Sequence, residues 1–122
     1  VKIVVVDDSR VMRQIVIRTL RQAGYGSHDI VEAENGKEGL GVIQAQEPDL
    51  VLSDWNMPEM TGIDMLCALR AAGNEVAFGF VTSEGSEEMR TRASQSGAAF
   101  LIAKPFTPEA FQEALTSVGV AA

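Results

Sequence analysis

Val1-Lys2-Ile3-Val4-Val5-Val6-Asp7-Asp8-Ser9 is the stretch on which the fold turns. A short β-branched run ends abruptly in two acids, and a Ser able to cap a helix follows at once. A run with no polar alternation reads as a strand buried on both faces. From Ser9 onward the spacing becomes helical. Val11, Met12, Ile15, Val16 and Leu20 form one stripe before Gly24 ends it. Strand, acidic corner and helix make the first unit of an alternating chain.

Further apolar runs begin near Ile30, Leu50, Val76 and Ala98, and amphipathic segments separate most of them. Five strands alternating with five helices predict an α/β fold whose parallel sheet is covered on both faces. Asn35 with Glu38 resembles a capping box opening the second helix. Gly39 and Gly41 cost that helix about 1 kcal/mol each relative to Ala, so it should be weak. Thr61 or Gly62 opens the third, with Met65, Leu66 and Leu69 facing inward and Cys67 placed in the core. Thr107 caps the fifth, Pro108 takes its first position, and Phe111, Leu115 and Val118 make its buried stripe. The fourth, Ser86 to Ser96, carries only Met89 and Ala93 as apolar residues. It is either a peripheral helix lying flat or a moving part.

The chain of 122 residues is the length of one domain, and 1–122 is read as a single one. Ten basic residues against 17 acidic ones leave a net charge of −7, which repels phosphate backbones and anionic lipid. Nucleic acid is therefore a poor partner for this domain. The longest apolar runs fall far short of the ~20 residues that a bilayer requires, so no membrane insertion is expected. The start has no secretory signal, and the single Cys67 fits a reducing compartment, so the expected location is cytoplasmic. The absence of an initiator Met leaves open whether flanking sequence belongs to the natural protein.

Polar residues stand where predicted strands pass into loops: Asp7 and Asp8, Asp54, Thr82 and Lys104. In an open parallel sheet the carboxyl ends share one edge, and ligands bind there at the switch in strand order. Three carboxylates repel one another, and one Lys offsets only part of their charge. A divalent cation brings the set to neutrality. Oxygen ligands favour Mg²⁺, with Mn²⁺ as the alternative, and leave positions for phosphate oxygens. Lys104 supplies a point charge and Thr82 a hydroxyl donor, and a carboxylate beside the metal can act as nucleophile to form an aspartyl phosphate.

Val4-Val5-Val6-Asp7-Asp8-Ser9, Ser53-Asp54-Trp55-Asn56-Met57-Pro58, Val81-Thr82-Ser83-Glu84 and Lys104-Pro105-Phe106-Thr107 carry a resemblance over essentially the whole chain. The sequence resembles the receiver domain of two-component response regulators, above all the stand-alone chemotaxis type. The resemblance implies a doubly wound, flavodoxin-like sheet in the order 2-1-3-4-5. It implies that Asp54 accepts phosphate from the phosphohistidine of a histidine kinase or phosphotransfer protein, switching a surface that binds a downstream protein. Asp7, Asp8, Asp54 and the Asn56 carbonyl would hold the metal, while Thr82 and Lys104 engage the phosphoryl group. Asn56 and Glu84 would tune dephosphorylation, and the Lys104–Pro105 bond would be cis. Such a protein is not an enzyme toward other molecules; it catalyses only its own phosphorylation and dephosphorylation.

One position departs from the family. Relatives usually carry Tyr or Phe three residues before the Lys, as a switch coupled to the Thr. Here Leu101 stands there and Phe100 comes one earlier, on the opposite strand face. Leu101 is then a smaller switch or a static contact. His28, alone in a polar turn, reads as a surface residue, and Trp55 as a partly exposed reporter at the rim. Two other classes rank lower. A metal-dependent phosphohydrolase would need a lid that no segment is long enough to form. A flavin module would need a phosphate loop where Asp7 and Asp8 would repel the anion. A receiver belonging to a longer regulator with an output domain stays open beside the single-domain reading.

Overall fold

A computed structural model describes residues 1–121. Five strands, β1 (Lys2–Val6), β2 (Asp29–Ala33), β3 (Leu50–Ser53), β4 (Ala77–Thr82) and β5 (Phe100–Ala103), form one parallel sheet in the order β2-β1-β3-β4-β5. Five helices connect and follow them: α1 (Arg10–Leu20), α2 (Gly36–Gln46), α3 (Gly62–Ala71), α4 (Glu87–Gln95) and α5 (Pro108–Ser117). Strand order reverses between β1 and β3, which places a crevice at their carboxyl ends.

The unbroken apolar runs are explained by two cores, one on each face. Val4, Val6, Val51, Phe78, Phe80 and Leu101 point toward α2, α3 and α4, where they meet Ile43 and Leu66. Their neighbours Ile3, Val5, Leu50, Leu52, Val81 and Ile102 point the other way, onto Val16, Leu20, Phe111 and Leu115. Apart from their first residues Lys2 and Ala77, the central strands β1, β3 and β4 are buried throughout, whereas the edge strand β2 buries only Ala33 and the edge strand β5 is half-buried at both ends.

Every helix takes a side-chain cap at its first turn: Ser9, Asn35, Thr61, Ser86 and Thr107 each accept from the backbone N–H three residues on. Gly39 is explained by packing. A Cβ there would come 2.8 Å from Met65 Sδ and 3.1 Å from Val6, so the glycine lets α2 lie close against β1. Its intrinsic cost is offset by that contact.

Several readings need correction. Val11 is 69% exposed, and the buried apolar stripe of α1 is Val16, Ile17 and Leu20. Gly24, at φ 99°, does break the helix as the sequence implies; the short turn Arg21–Tyr25 leads from α1 to Tyr25, whose buried hydroxyl donates to Val120 O at 3.1 Å and pins the chain after α5. Cys67 is exposed: Met65, Leu66 and Leu69 hold the inward face of α3, and Cys67 falls beside it. The run at Ala98 starts a strand two residues late. Ala98 N–H donates to Ala93 O and Gly97 N–H to Ser94 O, so these residues close α4 before β5 begins at Phe100.

Candidate functional site

Backbone hydrogen bonds carry the sheet ladder one residue past each strand and so fix the site. Asp7 N–H donates to Ala33 O at 3.1 Å, Asp54 N–H to Val6 O at 2.9 Å and Lys104 N–H to Thr82 O at 2.8 Å. The ends of β1, β3, β4 and β5 are thereby brought to one edge. There the carboxylates of Asp7, Asp8 and Asp54 present oxygens that all lie within 4.8 Å of one another. Lys104 Nζ lies 3.6 Å from Asp7 Oδ2 and is the cation of this cluster.

The three acids differ in setting. Asp7 is buried; its Oδ1 accepts the Ser9 N–H at 2.9 Å, so the residue that caps α1 also braces the carboxylate. Asp8 is exposed and Asp54 half-buried. Asp54 Oδ1 accepts the Trp55 N–H at 2.8 Å. Burial pushes the Asp7 carboxyl above the ordinary carboxylate range, against the pull of the Ser9 N–H and of Lys104. Burial also raises Asp54, and the Asp7 charge raises it further, with Lys104 opposing. Three acids with one Lys are thus short of positive charge. Hard oxygen donors at this spacing could hold a divalent cation.

Thr82 is fully buried, and its Oγ1 accepts the Glu84 N–H over a long 3.4 Å. Asn56 and Glu84 are exposed at the rim. The Lys104–Pro105 bond is cis. Leu101 is buried on the α4 side of the sheet, whereas Phe100 packs on the α1–α5 side. The Phe100 ring occupies the space above Gly79, its partner in β4, where a Cβ would come 2.1 Å from the ring. His28 lies half-buried against the Tyr25 ring, their centroids 5.5 Å apart, away from these acids.

Trp55 corrects the reading of a partly exposed rim. It is only 7% exposed, its ring 4.7 Å from that of Phe80, with the Arg92 guanidinium 5.9 Å over its face. Sequence reasoning also passed over Arg13. Its Nη1 donates to the Asp7 carbonyl at 2.7 Å while Nε pairs with Glu32 at 3.0 Å, tying α1 and β2 to the acidic corner. The signal available was spacing: Arg13 lies one turn beyond the Ser9 cap, and the Ser9 carbonyl accepts its N–H.

Among the described residues no helix is long and apolar enough to cross a membrane. The family model for "Response regulator receiver domain" matches residues 3–116. Chemotaxis protein CheY1 of Helicobacter pylori is 38% identical over 120 residues, covering 96% of this chain and 95% of that protein. The CheY homolog of Campylobacter jejuni is likewise 38% identical, covering 96% of this chain and 91% of the relative. The crystal structure of Vibrio cholerae CheY4 superposes with a TM-score of 0.84 at 34% identity, covering 96% of this chain and 97% of the other. With its strand order, its acidic triad and these full-length similarities together, the chain belongs to the receiver domains of two-component response regulators, and is CheY-like among them.

Proposed function

We propose that residues 1–122 work as one phosphoacceptor domain in which Asp54 takes a phosphoryl group from a phosphohistidine and thereby alters the surface offered to a downstream protein. The observation that supports this reading is the cluster of three carboxylates whose oxygens lie within 4.8 Å, with Lys104 beside Asp7. A histidine kinase partner follows from the family; a phosphotransfer protein can stand in for it. Neither nucleic acid nor membrane fits this acidic domain.

Asp7, Asp8 and Asp54, with the Asn56 carbonyl, would hold Mg²⁺ or Mn²⁺, which supplies positive charge to phosphoryl oxygens when bound. The rest is done by the chain. Trp55 N–H occupies Asp54 Oδ1, which leaves Oδ2 to attack phosphorus. The O–P bond forms as the P–N bond to the donor imidazole breaks, and the ring, already protonated on its other nitrogen, takes the bonding pair and leaves as neutral imidazole. Lys104, held loosely at 3.6 Å from Asp7, can turn its ammonium to a phosphoryl oxygen. Thr82, whose hydroxyl makes only a 3.4 Å bond, can donate to another. Asn56 and Glu84 stand where water must enter, and set how fast the acyl phosphate is hydrolysed. Leu101 takes the usual aromatic position as a small apolar contact that moves with the Thr82 loop.

Intact mass after incubation with Mg²⁺ and acetyl phosphate tests the reading. One phosphoryl increment is expected on the wild type, none on Asp54→Asn, and none with chelator. An unmodified wild type, or an increment retained by Asp54→Asn, would contradict it.

A further inference from the structure

The helix α4 meets the domain through a short apolar contact, Ala93 with Met89, and through two exposed arginines, Arg90 and Arg92. Of its nine residues only Ala93 is fully buried, with Met89 half-buried. On the β5 side the Arg90 guanidinium donates from Nη1 to Leu101 O at 2.9 Å and from Nε to Gly85 O at 3.2 Å. β5 is an edge strand, so the Leu101 carbonyl takes Arg90 where a further strand would otherwise pair. On the other side of the helix Arg92 lies over the Trp55 ring. The packing around Arg90 is open. A cleft of about 200 Å³ lies between α4 and the start of β5. A groove of about 490 Å³ runs along β5 and α5. Arg90 and Leu101 line both.

We infer that Arg90 is a latch: one guanidinium bridging the β4–α4 loop and the outer edge of β5 fixes where α4 sits, and its release frees α4 to move as a unit. The physical basis is the contrast between two kinds of attachment. An apolar stripe resists displacement along its whole length, whereas two hydrogen bonds to one side chain break together. The Gly85 acceptor belongs to the loop that begins after Thr82, and a Cβ at Gly85 would come 2.8 Å from Ala103. That loop therefore lies directly against β5. Any displacement of it withdraws one of the two acceptors and reshapes the groove that Arg90 walls. The latch stands whether or not Asp54 takes a phosphoryl group.

Hydrogen exchange read by mass spectrometry on the unmodified full chain tests it, with wild type, Arg90→Lys and Arg90→Met compared. Met matches Arg in helix propensity, so the helix itself is not weakened. Loss of both charge-assisted bonds in Arg90→Met should speed exchange across Glu87–Gln95 by about tenfold or more, with β1, β3 and α5 unchanged. Arg90→Lys, a point charge unable to span both carbonyls, should fall between. Trp55 emission should shift in Arg90→Met, because Arg92 travels with α4. Exchange in α4 that stays at the wild-type rate, or rises equally in every element, would overturn the latch.

Discussion

Removing the charge of Asp54 should stabilise the metal-free protein. Carboxylate oxygens of Asp7 and Asp54 approach within 4.8 Å. At that separation and an effective dielectric of about 20, two like charges repel by roughly 3.5 kcal/mol. Lys104 Nζ lies 3.6 Å from Asp7 Oδ2 and offsets part of the load, chiefly at Asp7. Asp54 is also partly exposed, so solvent screens it. A net gain of about 1–2 kcal/mol for Asp54→Asn at pH 7 in chelator is the result, on the order of 3–10 °C in Tm for a domain this size. The amide oxygen can still accept the Trp55 N–H, so no hydrogen bond is lost.

The pH dependence has a definite sign. Burial and the Asp7 charge raise the Asp54 carboxyl, so in the titration window the folded state binds more protons than the unfolded state. Wild-type stability therefore falls as pH rises from the ordinary carboxylate range through the raised value. The variant lacks this loss. Its advantage should be small in acid, grow as pH rises, and level off near neutrality. Urea and thermal melts followed by circular dichroism from pH 4 to 7.5 read it directly. A variant no more stable than wild type at pH 7, or an advantage that grows toward acid, would refute the electrostatic account.

Magnesium ion at about 100 times its Kd should stabilise the wild type by about 2.7 kcal/mol, a gain that chelator abolishes and that Asp7→Asn, lacking one carboxylate, largely loses in the same melts. Glu47 ends α2 in the left-handed region at φ 47°, so Glu47→Gly should stabilise by about 1 kcal/mol in urea melts. Gly79→Val drives a side chain into the Phe100 ring and should destabilise by about 1–3 kcal/mol. Adding Phe100→Ala should recover part of that loss, giving a double-mutant coupling above about 0.5 kcal/mol, whereas additive effects would mean that the ring does not set the Gly79 position.

The polar residues at the strand ends were legible because a parallel sheet converts sequence position into spatial convergence. Asp7, Asp54 and Lys104 each follow a buried run and Thr82 ends one, and the ladder bonds past β1, β3 and β5 leave them little freedom. The caps were legible for a similar reason, since they depend on residues three apart. Faces and loops were harder. Cys67 lies one position beyond Leu66, and a single step of a helix turns an inward residue toward solvent. Trp55 sits in a loop with no period, and its burial is decided by Phe80 and Arg92, far away in sequence. Arg13 and Arg90 act through backbone carbonyls, which leave no mark on the pattern of side chains. The shift of the aromatic from Leu101 to Phe100 was visible, but its partner, the open space at Gly79, emerges only from strand register.

Reductive trapping reads which carboxylate becomes phosphorylated. Borohydride converts an aspartyl phosphate to homoserine, so the protein is incubated with Mg²⁺ and acetyl phosphate, reduced, digested and sequenced by tandem mass spectrometry. With Asp54 as the phosphoacceptor, homoserine is expected at position 54 only, and only with Mg²⁺ present. Homoserine at Asp7 or Asp8, or none at any position, would contradict that assignment.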